Sequence, residues 1–441
     1  MKRMLAMILT AVLCISTYGL SVAAADSANP VKLVIWGGVP EDKGPQKVCE
    51  NFNATHPGIQ AEYIRYVNDD QGNVKLDTAL ISGEKIDIFI SYGYDKLTKR
   101  AEAGMAAELS GLCEQFDVDI IRDFGEAAKN SVTADGKVYA IPTYKQVMFL
   151  MLNKNMFDAA GIPIPKHWTW QDVREIAKKL TTGENAGKVY GFLKSTDGNV
   201  INEIVGTQAN RDCWLNEDAT ATNYVDNPYL RQGYQLMYDM MYTDQSMMSW
   251  EDMIVQKVSA NEAPIFFNKQ AAIVATGSHQ LRNIKDTSAF PRDFVVAFAE
   301  VPALNAGQPD YYANLIVQDH LSINEKSVNK EAAMEYIKWY YTEGYDPMIE
   351  GGRMPLYKDY DADRAIQIML KGAEELVDME SAKHVLFGNY EKMQYDGSNL
   401  HKAEIAKIMQ EEMEAFFLKI VDLDTALQNM QNRCNQVLSG N

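Results

Sequence analysis

Cysteine is scarce in this chain: there are five in 441 residues, and none falls in a C-x-x-C spacing. That excludes a disulfide-built scaffold and gives no support to a zinc or thioredoxin-type site. Cys49, Cys113 and Cys434 lie on apolar stripes, where a free thiol packs as a small hydrophobe. One pairing among Cys49, Cys113, Cys213 and Cys434 stays open. Positive charge is short as well, with 42 Lys and Arg against 60 Asp and Glu, for a net charge of −18. Such a chain repels nucleic acid and anionic lipid, and suits a neutral ligand or a cationic partner. Beyond Leu20 no run approaches the ~20 apolar residues that a membrane span needs. The G-x-S-x-G, H-E-x-x-H and P-loop patterns are missing. No period of ~20–50 residues recurs, which excludes a solenoid.

What is present begins with the amino terminus. Lys2 and Arg3 precede an apolar run from Met4 to Leu20, and Ala23, Ala24 and Ala25 follow. That order reads as a secretory signal peptide cleaved near Ala25. The mature protein is then expected outside the cytoplasm, in the periplasm or at the outer face of the cytoplasmic membrane. Cys14 follows Leu13, too large a residue for a lipoprotein cleavage site. The remaining chain exceeds what one core supports, so two or three domains are expected. The many methionines, such as Met240-Met241 and Met247-Met248, read as core filler on helices.

Strand-like and helix-like segments alternate, the pattern of an α/β protein. Val31–Trp36 reads as a strand that stops at Gly37-Gly38, and Gly44–Ala54 as a helix. Ile59–Val67 reads as a strand, Lys75–Ile81 as a helix ended by Gly83, and Ile86–Ser91 as a buried parallel strand. In such sheets ligands sit beyond the carboxyl ends of the strands, here at Trp36-Gly37-Gly38 and Ser91–Asp95. Further on, Lys137–Pro142 and Val147–Leu152 are strand-like. Thr169 with Asp172 forms a capping-box pattern. Phe266–Thr276 and Leu315–Asn324 read as strands. Lys330–Tyr341, Ala403–Ile420 and Asp424–Leu438 read as helices.

The order of motifs resembles the family 1 extracellular solute-binding proteins, the sugar-binding components of bacterial ABC importers, which include maltose-binding proteins. Val31-Lys-Leu-Val-Ile-Trp-Gly-Gly38 resembles the family's opening strand. Phe52-Asn-Ala-Thr-His-Pro-Gly-Ile59 is similar to its F-x-x-x-x-P-G-I. Ser82-Gly-Glu-Lys-Ile-Asp-Ile88 is similar to S-G-x-x-P-D-I, with Ile86 in place of Pro. Ala103–Leu109, Asp135-Gly-Lys-Val-Tyr-Ala-Ile-Pro142, Asn153-Lys154, Gly161-Ile162 and Trp168-Thr-Trp170 follow in the family order. Phe267-Asn-Lys-Gln-Ala-Ala272 resembles F-x-x-G-x-A-A, with Gln270 replacing Gly. The set spans nearly the whole mature chain.

The resemblance implies a two-lobed, type II periplasmic-binding-protein-like fold, each lobe a mixed, mostly parallel sheet flanked by helices, joined by a hinge. Lobe 1 is expected to hold 26–144 plus 315–350, and lobe 2 145–314 plus 351–441. The chain would cross near Thr143–Gln146, Ala313–Ile316 and Glu350–Arg353. The implied ligand is a small carbohydrate, and the implied partners are the transmembrane permease subunits of an ABC transporter. The implied protein is a monomer and not an enzyme, with no cofactor and no metal. Two other functions fit a secreted α/β chain. A hydrolase would need paired carboxylates roughly 5–10 Å apart, and a sensing lobe would report to a chemoreceptor or sensor kinase.

A sugar presents hydroxyls at its rim and C–H faces above and below, so polar side chains and flat aromatics are sought where strands end and lobes cross. Trp36 ends the first strand, and Asp42-Lys43 resembles an Asp-Lys pair of maltose-binding relatives. Tyr92 and Asp95 follow the buried strand at Ser91. Gln146 lies in the first crossing, where relatives often place a carboxylate or amide. Thr276-Gly-Ser-His279 resembles the family's G-x-W loop, with His279 in the place of the stacking Trp, and Trp214 is the candidate substitute. Tyr312 and Asn314 precede the second crossing, and Arg353 lies at the third. Each also has a plain structural use, as core packing, turn or surface.

Overall fold

A computed structural model describes residues 29–134, 136–194, 216, 220–307, 315–388 and 402–440. The signal-peptide reading and the candidates Trp214, Tyr312 and Asn314 lie outside the described residues, as does Cys213. The strands are β1 (Val31–Gly37), β2 (Ile59–Arg65), β3 (Ile88–Ser91), β4 (Thr133–Ala134), β5 (Lys137–Val138), β6 (Ile141–Asn153), β7 (Tyr190–Lys194), β8 (Ala271–Gly277), β9 (Val296–Ala299), β10 (Leu315–Ile323) and β11 (Met354–Pro355). They order as β2-β1-β3-β10-β6-β8-β7, with β9 and β11 also on β6, and β4–β5 apart as a small hairpin.

One strand joins two sheets. The first half of β6 pairs with β10 up to Val147, and the second half pairs with β8 and β9 from Met148 onward. What reads as two short strands in the sequence is a single 13-residue strand. The β1–β2, β1–β3 and β7–β8 ladders are parallel. Every ladder of β6 and β10 is antiparallel. The parallel ladders expected for both sheets are thus confined to the βαβ flanks, because the strands at the centre run back across the molecule.

Local chemistry sets the helix boundaries. The helix Asp70–Ser82 starts five residues before the apolar spacing suggests, since the Asp69 side chain accepts a hydrogen bond from Gly72 N. Gly83, with φ 82°, ends it. Thr169 and Asp172 form the reciprocal capping box. The expected strand at Phe266 is corrected: Phe266 and Phe267 close the helix Val258–Phe267, and β8 begins at Ala271. The run is apolar throughout, and periodicity does not separate a buried helix end from a buried strand.

The first sheet buries side chains on both faces. Leu33, Ile35, Ile88 and Ile90 join the main core, and Trp36 and Phe89 join a second cluster with Leu76 and Leu80. Met240, Met241, Met247 and Met248 are buried, and Cys49, Cys113 and Cys434 are free and buried. Among the described residues, no helix is long and apolar enough to cross a membrane.

Candidate ligand-binding site

The site is built around an interruption in β10. Gln318 pairs with Tyr144 and His320 with Pro142, but the intervening pair, Asp319 with Thr143, is missing from the ladder. Asp319 holds a left-handed φ of 53°, a conformation that Asp tolerates better than most residues. The Thr143 hydroxyl donates to the Asp319 carbonyl at 3.1 Å and fixes the distortion.

The Asp319 side chain is 2% exposed, and Oδ2 accepts from Arg353 Nε at 2.6 Å. Oδ1 is buried and has no partner among the described residues. The Arg353 guanidinium lies over the Tyr144 ring, 5.3 Å from its centroid. Tyr144 and Arg353, from the first and third expected crossings, thus meet at Asp319, which lies three residues beyond the second, Ala313–Ile316. Tyrosines surround the acid. Burial and then the Asp319 charge hold the Tyr92 and Tyr144 phenols above their ordinary value. Tyr345 is fully buried, and its hydroxyl has no partner among the described residues; burial, Tyr340 and then Asp319 raise it too.

The loops after β1 and β3 close on the same place. Tyr92 Oη accepts from Gly38 N at 2.6 Å, and Tyr63 donates to the Val39 carbonyl at 2.8 Å. A Cβ on Gly38 would stand 2.8 Å from Asn68 Cβ and 2.9 Å from the Tyr92 ring, so only glycine admits this approach.

A polar groove of about 370 Å³ opens beside Glu350 and Gly351, lined by Asp42, Lys43, Lys47 and Glu350, and by Lys285 and Lys371. The turn Glu41–Lys43 seats directly on Gly351: a Cβ there would lie 2.1 Å from the Lys43 carbonyl oxygen. Asp42 itself is exposed, 3.5 Å from Lys43 Nζ.

Gln146 is half-buried on β6 opposite Ile316. His279 is exposed in the turn after β8. Its neighbour Ser278 accepts from Val147 N at 3.2 Å, which sets the turn against the point where β6 changes sheets. Asp95 is exposed in the first turn of the helix Tyr94–Glu102. Trp36 is 7% exposed and packs within the second core cluster, with Lys75 Nζ 5.6 Å from the centroid of its ring.

The structure thus gathers Tyr92 and Arg353 about Asp319 and puts Asp42 on the adjoining groove. Gln146 and His279 flank the change of ladders. Asp319, Tyr144 and the lysines at 285 and 371 escaped sequence reading. The available signal for Asp319 was Gln318-Asp319-His320, a polar triplet inside an otherwise apolar strand. Among the described residues no group of three or more His, Cys, Asp or Glu is set to hold a metal ion.

Comparisons with known proteins place this geometry. A profile of the bacterial extracellular solute-binding protein family matches residues 37–347. A solved sugar transporter of Rhizobium etli, in an open conformation, superposes with a TM-score of 0.75 at 22% identity, over 91% of this chain and 98% of that one. An uncharacterised lipoprotein of Streptomyces antibioticus is 32% identical over 139 residues, 31% of this chain and 30% of its own length. An arabinooligosaccharide-binding protein of Halalkalibacterium halodurans is 30% identical over 123 residues, 28% of this chain and 26% of its own length. The matches thus span under a third of these two relatives. The fold is that of the two-lobed binding proteins, and with the profile covering most of its length the chain belongs to the bacterial extracellular solute-binding protein family.

Proposed function

We propose that this chain captures a carbohydrate between its two lobes, outside the cytoplasm, and hands it unchanged to the permease subunits of an ABC importer. The lobes are 26–144 plus 315–350 and 145–314 plus 351–441, and the protein acts as a monomer. The observation that carries the reading is the buried, half-satisfied Asp319, which sits against Tyr144 and Arg353 of two expected crossings. A carboxylate oxygen without a donor is costly to bury, and a hinge that must change its angle, or a guest rich in hydroxyls, gives such a group a use. Tyr92 and Arg353 are assigned to the ligand, with Asp42, Asp95, Gln146 and His279 at the rim; Trp36, Trp214, Tyr312 and Asn314 complete the set named from the sequence. The names of the Rhizobium and Halalkalibacterium relatives support sugar as the guest.

Ligand in the seam would shift the population from open to closed lobes. A carbohydrate panel read by thermal shift, followed by small-angle scattering with the best binder, tests this. A rise in melting temperature with a smaller radius of gyration and no sugar turnover is expected. Turnover, or saturation without compaction, would overturn it.

A further inference from the structure

The groove beside the third crossing says more about the guest than the sequence does. An acidic chain suits a neutral ligand, yet this groove carries four lysines, Lys43, Lys47, Lys285 and Lys371, against two carboxylates, Asp42 and Glu350. Two of the lysines are already engaged: Lys43 Nζ stands 3.5 Å from Asp42, and Lys47 Nζ 3.1 Å from Glu50. The other two differ. Lys285 Nζ reaches the Ile368 carbonyl at 3.4 Å, and among the described residues neither Lys285 nor Lys371 has a carboxylate within 4.0 Å. The Gly372 N–H first, and then both ammonium groups, hold the Glu374 carboxyl below its ordinary value, but Glu374 makes no ion pair within 4.0 Å with either lysine.

Among the described residues the lining also contains no aromatic ring, whereas a neutral sugar is ordinarily gripped by stacking its C–H faces on flat rings. What the described lining offers is charge and hydrogen bonding. Asp42 and Glu350 can accept hydroxyl protons, and the two ammonium groups outside any ion pair within 4.0 Å call for an anion. Its volume of about 370 Å³ falls in the range of a small-molecule site. The lysines also come from two sides: Lys43 and Lys47 follow β1, whereas Lys285 and Lys371 belong to segments assigned to the second lobe. A bound anion would neutralise both and favour the closed arrangement.

We infer that the guest is an acidic carbohydrate, with a carboxylate or phosphate held by Lys285 and Lys371 and hydroxyls taken by Asp42 and Glu350. This rests on the reading of the protein as a carbohydrate-binding protein. The test is calorimetric titration of the full chain with trigalacturonate, its trimethyl ester, galactose 6-phosphate and inorganic phosphate, at one ionic strength. The expected result is that at least one charged sugar binds about tenfold or more tightly than the neutral ester, the gap expected of one charge-assisted hydrogen bond. Lys285→Gln and Lys371→Gln should each erase most of that gap while unfolding at the wild-type temperature. Tight binding of trigalacturonate alone assigns a carboxylate, and of galactose 6-phosphate alone a phosphate. Equal binding of acid and ester, or a preference untouched by both substitutions, overturns the inference and leaves carbohydrate binding standing. Binding of inorganic phosphate as tight as any sugar reduces the groove to an anion site and overturns it. No binding by any of the three sugars counts against the carbohydrate reading itself, and this inference falls with it.

Discussion

Two arginines in this molecule reach an aspartate inside the same sheet region, and they are finished very differently. Arg100, 2% exposed, engages each of its three guanidinium nitrogens: Nε on Asp77 Oδ1 at 2.7 Å, Nη1 on Ser91 Oγ at 2.8 Å, and Nη2 on Asn73 Oδ1 at 2.8 Å. Arg353, with 23% of its side chain exposed, gives one bond to Asp319, whose second oxygen stays buried and unmatched on a left-handed residue. The first network ties the helices Asp70–Ser82 and Tyr94–Glu102 to β3. The second joins β10 to the segment at Arg353. A buried charge is tolerable when every donor and acceptor is matched. Under the proposed function, the match missing at Asp319 is supplied by motion or by a guest.

The comparison breaks most readily at Arg100. Arg100→Met leaves Asn73, Ser91 and the partly exposed Asp77 without their donor. Its unfolding free energy in urea should fall by about 3–5 kcal/mol, the cost of breaking a buried pair, while ligand affinity of the folded protein stays unchanged. A loss under about 1 kcal/mol would mean that the satisfied network is not what holds this lobe.

His320 sharpens the same side. It follows Asp319 on β10 but faces the opposite way, fully buried, with Nδ1 3.4 Å from the Ser91 carbonyl. Burial depresses its pKa to about 4, against smaller upward pulls from the Ser91 carbonyl and Asp95. Below the ordinary imidazole value of ~6.5 the unfolded chain takes up a proton that the folded chain refuses. Stability is therefore complete above that value and drains away as pH falls from about 6.5 to about 4, by about 3 kcal/mol in all. Urea unfolding at pH 7.5 and pH 5 checks the slope, and His320→Gln should flatten it. An unchanged slope in that variant would assign the acid sensitivity elsewhere.

How much of this was visible in the chain follows the same division. The βαβ start, the capping box at Thr169 and the helices Lys330–Thr342, Lys402–Phe417 and Leu423–Leu438 were legible, because propensity, caps and apolar spacing agree there. The family order of motifs pointed to the two-lobed fold. The seam was legible only in part: Arg353 and the stretch Thr143–Gln146 were named, but Asp319 was not, because it lies far from both in sequence and has an ordinary local reading. Trp36 shows how one residue reads two ways, since a flat ring at a strand end looks like a sugar platform while most of this residue is buried in the core. Lys285 and Lys371 were invisible because the bulk charge pointed the other way.

Asp319 tests the seam directly. Asp319→Asn keeps the volume and the tolerance for positive φ but removes the charge facing Arg353. Unfolding free energy should fall by about 1–2 kcal/mol, clearly less than for Arg100→Met, and sugar affinity should drop about tenfold, or ~1.4 kcal/mol. Urea unfolding and calorimetry on one preparation separate the two effects. A stability loss as large as that of Arg100→Met with ligand binding intact would make both pairs structural and dissolve the contrast.

The smallest effect is expected one residue from the ring under Arg353. Lys145 is half-buried on β6 with Nζ 4.9 Å from the centroid of Phe387, and burial lowers its pKa to about 8. Here the native state resists the charged form, so between about 8 and the ordinary lysine value near 10.5 the unfolded chain binds the extra proton and stability rises with pH. At pH 7 both states are charged and the full penalty is present. Lys145→Met should therefore stabilise the protein at pH 7 by on the order of 1 kcal/mol after allowance for partial solvation, and should abolish the rise above pH 8. If the variant is instead destabilised, the contacts of the Lys145 side chain outweigh the cost of burying its charge.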